Sequence, residues 1–123
     1  MVGGSDYRLP ARLGFLQPYN STADRYFREL GVPPGAGPLT NYRHHDRDGL
    51  QNEDASGSYR VPLSRNGVLS HYRSACRRLG LASPASAETL AYHPGALCDG
   101  SVIVTVEPRC TGASCDVIVE VIG

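Results

Sequence analysis

The stretches Ser101-Val-Ile-Val-Thr-Val-Glu107 and Asp116-Val-Ile-Val-Glu-Val-Ile122 decide the fold of the C-terminal half of the chain. Both are rich in β-branched residues, and their side chains alternate with the period of two that is typical of strands. The short segment between them carries Cys110 and Cys115. The pattern therefore predicts an antiparallel hairpin, and the valine-bearing face of each strand is expected to be the buried one.

Upstream of the hairpin, two segments have the period of amphipathic helices. The first covers residues 21–30, with Ser21 as its capping residue. The second covers residues 66–79 and is closed by Gly80, a favourable residue after a helix end. Its apolar stripe consists of Val68, Leu69, Tyr72, Ala75, Cys76 and Leu79. A short third helix is expected to begin near Pro84 and to end before His93.

The remainder of the first half is irregular in composition. Residues 1–19 are interrupted by proline and glycine and predict an extended arm, and residues 44–58 predict a polar loop. Tyr59-Arg-Val-Pro-Leu63 alternates like a strand, but Pro62 predicts an edge position because proline cannot donate to a ladder. We therefore expect two units: an irregular arm with one short helix and a polar loop over 1–58, and a compact α+β unit over 59–123.

Together these elements predict an α+β fold. In it, a small antiparallel sheet with a C-terminal β-hairpin packs on one main helix, preceded by a Pro/Gly-rich extended arm. A hairpin alone is only marginally stable, so its apolar face requires the helix or a partner chain.

Composition limits the classes of partner. The 123 residues carry no net charge, so no global field attracts the chain to nucleic acid or to an anionic membrane. All 12 basic residues are arginine. No apolar run approaches the roughly 18 residues that span a bilayer, and the first residues do not resemble a signal peptide. These features predict a location in the cytoplasm of a host cell or in a virion, with no membrane partner.

The cysteines leave three alternatives open. Cys98, Cys110 and Cys115, together with His93, contain the thiolate and imidazole ligands that zinc prefers, although the spacing is loose. A disulfide between Cys110 and Cys115 would close the hairpin loop in an oxidising compartment or on a virion surface. Free thiols are the leading alternative, with Cys76 as a buried small hydrophobic residue, so no cofactor is expected other than this zinc ion.

Arginines gather around the second predicted helix. Arg73, Arg77 and Arg78 belong to its polar face, and Arg60 and Arg65 lie just upstream. Guanidinium groups bind phosphates, so these five residues are the candidate nucleic-acid contacts. The alternative is a solvated helix face whose cations favour the C-terminal end of the helix dipole.

No catalytic signature occurs in the sequence. It has no Gly-x-Ser-x-Gly elbow, phosphate-binding loop or His-Glu-x-x-His motif, and no paired carboxylates on a recognisable scaffold. The sequence therefore predicts a protein that is not an enzyme.

From Tyr59 onwards, the order of elements resembles that of small phage accessory proteins that bind single-stranded DNA. The order is a strand, a helix closed by glycine, a variable loop and a hairpin. It is carried by Tyr59-Arg-Val-Pro-Leu63, Cys76-Arg-Arg-Leu-Gly-Leu81, Ser101–Glu107, Thr111-Gly112 and Asp116-Val-Ile-Val119. The resemblance implies an accessory role in a phage.

These observations favour a structural or assembly subunit of a larger complex, with a phage virion as the expected setting. Its partners would be other protein subunits, either copies of itself or different chains. The alternative is a single-stranded nucleic-acid-binding accessory protein that uses the arginine-rich helix face.

Overall fold

The computed structural model of the chain describes residues 21–46 and 52–123, which form an α+β fold with a five-stranded antiparallel sheet. The predicted fold class is confirmed. The predicted arm over residues 1–19 lies outside the described residues. The elements in chain order are α1 (Thr22–Leu30), β1 (Thr40–His45), β2 (Asp54–Val61), α2 (Arg65–Arg78), α3 (Ala87–Tyr92), β3 (Ala96–Asp99), β4 (Ile103–Thr111) and β5 (Ser114–Ile122).

The C-terminal hairpin is formed by β4 and β5, which pair from Ile103↔Ile122 to Thr111↔Ser114. The connection consists of Gly112 and Ala113, and Gly112 has a φ of 64°. A two-residue hairpin turn needs positive φ at its first central position or at both, which glycine adopts without a steric penalty. Both strands are longer than predicted because each continues to the turn.

The sheet order is β1-β2-β5-β4-β3, so β5 occupies the centre. The prediction of a polar loop over residues 44–58 is wrong for residues 54–58. These residues belong to β2, which pairs with β5 along its whole length. The expected boundary between residues 58 and 59 consequently falls inside a strand. β1 pairs with β2 only over residues 54–58, so Tyr59 to Val61 has β5 as its strand partner on one side and lies at an edge there, as expected. β2 ends one residue before Pro62, which leaves proline out of the ladder.

Small residues explain why the first part of β2, residues 54–58, was predicted to be a loop. Gly57 faces the helices, and a Cβ atom there would lie 3.1 Å from Cζ of Phe27 and 3.1 Å from Cδ1 of Leu39. The missing side chain leaves room for the aromatic ring of α1. Thus a residue type that usually weakens strands is required here by close packing.

α1 and α2 pack against the same face of the sheet. α1 contacts β2 and β5, whereas α2 contacts β3 and β4, so two helices cover the hairpin where one was expected. Ser21 caps α1, because its Oγ accepts a hydrogen bond of 3.1 Å from Asp24 N. Ser64 caps α2 in the same way and accepts a hydrogen bond of 3.1 Å from Gly67 N. The core between the layers contains the expected valine faces, which are Val102, Val104, Val106, Val117, Val119 and Val121.

Candidate binding surfaces

All four cysteines are paired in disulfides. Cys76 of α2 is bonded to Cys98 of β3, and Cys110 is bonded to Cys115 across the hairpin beside its turn. The second pair is the disulfide that the sequence offered as one alternative. The expectation of free thiols is wrong for this chain, because no cysteine is left unpaired. No pattern in the sequence predicts the pair Cys76–Cys98, because these cysteines are 22 residues apart and meet only through tertiary packing.

The predicted zinc site is not formed. Cys98, Cys110 and Cys115 are all consumed in disulfides, and a disulfide sulfur is not the thiolate that zinc requires. His93 lies at the C-terminal cap of α3. Within residues 21–46 and 52–123, no group of three or more potential ligands is arranged to hold a metal ion.

The two disulfides have different surroundings. Cys76 and Cys98 are both fully buried, and their bond joins the main helix to the four-residue strand β3 at the edge of the sheet. By contrast, Cys110 is exposed and only Cys115 is buried. The first disulfide therefore holds separate elements together within the core, while the second closes a local hairpin.

The structure divides the five predicted nucleic-acid-binding arginines into three groups. Arg60 lies between buried residues of β2 and so points away from the helices. Arg78 donates from Nη2 to the backbone oxygen of Glu29, at 2.9 Å. Arg65, Arg73 and Arg77 are exposed on α2. Arg73 and Arg77 are one turn apart on the same side of the helix, whereas Arg65 lies at its start, seven residues before the buried Tyr72. The predicted five-residue set is therefore not a single site.

Side chains of α2 bind the C-terminal end of α1. His71 Nε2 is 3.3 Å from the backbone oxygen of Leu30, and Tyr72 donates its hydroxyl to the backbone oxygen of Gly31 at 3.2 Å. Burial lowers the pKa of His71 below its ordinary value, and the nearby Arg78 lowers it further, against the opposing effect of the Leu30 carbonyl. Together with Arg78, these groups satisfy carbonyls that a helix leaves unpaired in its last turn.

Two buried acids in the described part also have structural partners. Asp24 is fully buried, accepts a hydrogen bond from the Tyr42 hydroxyl and pairs with Arg28 at 3.2 Å. Burial, reinforced by this hydrogen bond, raises the pKa of Tyr42 above its usual range. Asp24 thus links α1 to β1.

The second acid, Asp99, organises the start of α3. Its Oδ2 atom accepts hydrogen bonds from the hydroxyl groups of Thr89 and Ser86 and from the Ser86 backbone N–H. Hydrogen bonding from Thr89, and then from Ser86, lowers the pKa of Asp99 below its ordinary value. Asp99 therefore remains an ionised acceptor that ties α3 to the end of β3.

A pair of tyrosines crosses the core. The hydroxyl groups of Tyr59 and Tyr72 are 2.7 Å apart, and both side chains are buried. Burial raises the pKa of Tyr59 to about 12, although its hydrogen bond with Tyr72 acts in the opposite direction. These rings are core residues and are not accessible for stacking with a ligand.

The face of the sheet turned away from the helices is accessible, and we call it the open face. The strand register arranges its side chains in four rows across β2, β5 and β4. Each row contains one residue from every strand. In order, the rows are Arg60–Asp116–Arg109, Ser58–Ile118–Glu107, Ser56–Glu120–Thr105 and Asp54–Ile122–Ile103. No helix of the described residues covers these rows.

Two ion pairs lie on the open face. Arg60 Nη1 lies 3.3 Å from Asp116 Oδ1, and Arg109 Nε lies 2.9 Å from Glu107 Oε2. All four of these side chains are more than half exposed, so each pair contributes little to stability. The rows also contain Glu120 and Asp54, so acidic side chains outnumber arginines on this face, and the exposed Ile118 lies among them.

A shallow depression of about 460 Å³ lies at the first row of the open face. Arg60 and Arg109 flank Asp116 in its floor, and Pro38 and Ile118 provide apolar lining. The arrangement combines guanidinium donors with an apolar surface, which suits contact with a protein side chain or terminus. No nucleophile paired with a base is among its lining residues.

No described helix is both long and apolar enough to cross a membrane. Comparisons of the chain with protein-family models, with curated proteins and with solved structures find no match.

Proposed function

We propose that this chain is a non-enzymatic binding domain that associates with protein subunits, first of all with a second copy of itself, through the open face of its sheet. The observation that carries the proposal is the open face, which lies in register across three long strands without a covering helix in the described part. Elsewhere in the domain, the buried acids Asp24 and Asp99 and the side chain of His71 each have a structural role. This further supports a binding role for the protein over a catalytic one.

The size of the open face agrees with a reversible contact. Eight residues of a strand extend about 27 Å, and the three strands of the open face, at about 4.8 Å each, span about 14 Å. Such a face covers about 400 Å², so two copies would bury about 800 Å² in total, which is below the roughly 1,000 Å² of a stable specific interface and is typical of a weak, transient contact. Its two arginines, Arg60 and Arg109, are already paired with carboxylates on the same face, which limits the number of unpaired cations that association would bury.

The two disulfides support an oxidising compartment as the setting of the proposed function. Disulfides persist in oxidising compartments and on virion surfaces and are rare in a reducing cytosol. The chain has two of them, one of which is fully buried. We therefore place the proposed function outside the reducing cytosol, with a virion surface as one such setting.

Sedimentation velocity over about 5 to about 500 µM protein tests the proposal, because a weak dimer has a dissociation constant in the micromolar range. We expect the weight-average mass to rise with concentration and Ile118→Asp to keep the chain monomeric. Val32→Asp is the matched control, since both side chains are 37% exposed but Val32 lies in the loop after α1. A wild-type chain that is monomeric at every concentration, or equal loss in both variants, would refute association through the open face.

A further inference from the structure

Charged side chains are distributed unevenly along the open face. The first of its four rows carries Arg60 and Arg109 on either side of Asp116, so the net charge of this row is positive. The fourth row carries Asp54 next to isoleucines of β5 and β4. One end of the open face is therefore basic and the opposite end is acidic.

Arg60 and Asp54 mark these two ends on the same strand. They are six residues apart on β2, so their side chains point to the same side of the sheet and lie about 20 Å apart along the strand. Arg60 Nη1 lies 3.3 Å from Asp116 Oδ1, and Asp54 Oδ1 lies 2.9 Å from His45 Nδ1. A guanidinium has five N–H donors and a carboxylate accepts about four hydrogen bonds, so both groups can bind a further partner.

Two copies of the open face can meet, with their strands aligned, in two symmetric ways. In the first arrangement, the two-fold axis runs parallel to the strands, so each row faces itself and β2 faces β4 of the second copy. In the second arrangement, the axis runs along the rows, so each strand faces its own copy and the first row faces the fourth. The distribution of charge over the rows distinguishes the two arrangements.

The first arrangement brings like charges together. Because β5 lies between β2 and β4, Arg60 would face Arg109 of the second copy, and the symmetry repeats this contact. Asp116 and Glu120 on β5 would each face their own copies across the axis. Ile118 would also meet its copy, but only together with these repulsive contacts, which oppose association.

The second arrangement brings opposite charges together. Arg60 would face Asp54 of the second copy at both ends of the paired β2 strands. On β4, Arg109 would face Ile103, which can pack against the apolar stem of the arginine. The two copies of Ile118 would lie one row apart on either side of the axis. No like charges are directly opposed among the residues of the four rows.

We propose that two copies of the chain associate in the second arrangement, with Arg60 of each copy against Asp54 of the other. This inference rests on the proposed function, because it specifies the geometry of association through the open face. Arg43, which lies beside the third row on β1, would face the uncharged Thr40 of the second row. The self-complementary ends of the open face thus select a second copy as the occupant.

Charge reversal in the whole chain tests this geometry by sedimentation velocity over about 5 to about 500 µM protein. An exposed ion pair contributes up to about fivefold, and the symmetric dimer contains the Arg60–Asp54 contact twice. We therefore expect Arg60→Asp and Asp54→Arg each to raise the dissociation constant at least about 25-fold. The double variant Arg60→Asp/Asp54→Arg should return the dissociation constant to within about fivefold of the wild-type value.

The matched control is Arg109→Glu, which reverses the other arginine of the first row and should change the dissociation constant by less than about fivefold. Circular dichroism should show that all variants are folded. Tighter association of Arg60→Asp or Arg109→Glu would identify the first arrangement and overturn this inference. Failure of the double variant to recover association would also overturn it, although the proposed function would stand if Ile118→Asp still blocked the dimer. A monomeric wild type would instead refute the proposed function itself.

Discussion

Removal of the buried disulfide should be the most destabilising change available to the cysteines. Cys76→Ala/Cys98→Ala opens a loop closed over 22 residues, which is worth about 3 kcal/mol by chain entropy. Both side chains are fully buried. Loss of two sulfurs, each comparable to a buried methylene, adds about 0.8 kcal/mol apiece. The expected loss of about 5 kcal/mol is a large part of the 5–15 kcal/mol that is typical of a domain.

The hairpin disulfide provides the matched comparison. Cys110→Ala/Cys115→Ala opens a loop over only 5 residues, for which the same entropy relation gives about 2 kcal/mol. Only Cys115 is buried, so less apolar surface is lost. We therefore expect the hairpin variant to be more stable than the core variant by at least about 2 kcal/mol.

Urea unfolding followed by far-UV circular dichroism measures both differences by linear extrapolation. Mass spectrometry of the alkylated, non-reduced wild type should first show no free thiol and the two expected pairs. Equal losses of stability in the hairpin variant and the core variant would refute the expected difference between the two disulfides. A peptide map that links Cys76 to a residue other than Cys98 would also refute it.

Four further predictions concern packing, capping and pH. Gly57→Val should destabilise the fold by about 2 kcal/mol in urea unfolding, because even a Cβ would lie 3.1 Å from the Phe27 ring; an unchanged midpoint would contradict the close packing. Ser64→Ala should cost about 1 kcal/mol in the same assay through loss of the α2 cap, and no loss would show that the cap is dispensable. Burial lowers the pKa of His71 in the folded state, so His71 binds a proton more readily in the unfolded chain. The free energy of unfolding should therefore decline as pH falls below about 6.5, and His71→Gln should flatten that part of a stability–pH profile. The lowered pKa of Asp99 means that its contribution is present above about pH 4 and is lost as pH falls further, so Asp99→Asn should reduce acid sensitivity there, and an unchanged profile would contradict this.

The elements that sequence reasoning identified are those whose burial follows a simple period. The hairpin and the main helix are examples, because valines alternate in the first and Val68, Tyr72 and Cys76 recur on one stripe of the second. The first five residues of β2 were missed because their helix-facing positions are Ala55 and Gly57, and the missing side chain of Gly57 leaves room for Phe27 of α1. That requirement comes from a distant segment and has no local signature.

The binding surfaces were predictable to a lesser degree. The exposed positions of α2 followed from its period, and the polar face of the hairpin followed from alternation. The use of Arg78 to bind the end of α1 could not be predicted, since it depends on how two helices meet. Likewise, the partner of Cys76 depends on the packing of α2 against β3, which no spacing rule encodes.

The central position of β5 has a consequence for the order in which the fold is completed during synthesis. Of the five strands, β5 is the last to be made, yet β2 pairs with it on one side and β4 on the other. Until it emerges, the β1–β2 hairpin and the β3–β4 hairpin have no common ladder and the two halves of the core stay separate. A partly synthesised chain therefore cannot complete the sheet before β5 has been made.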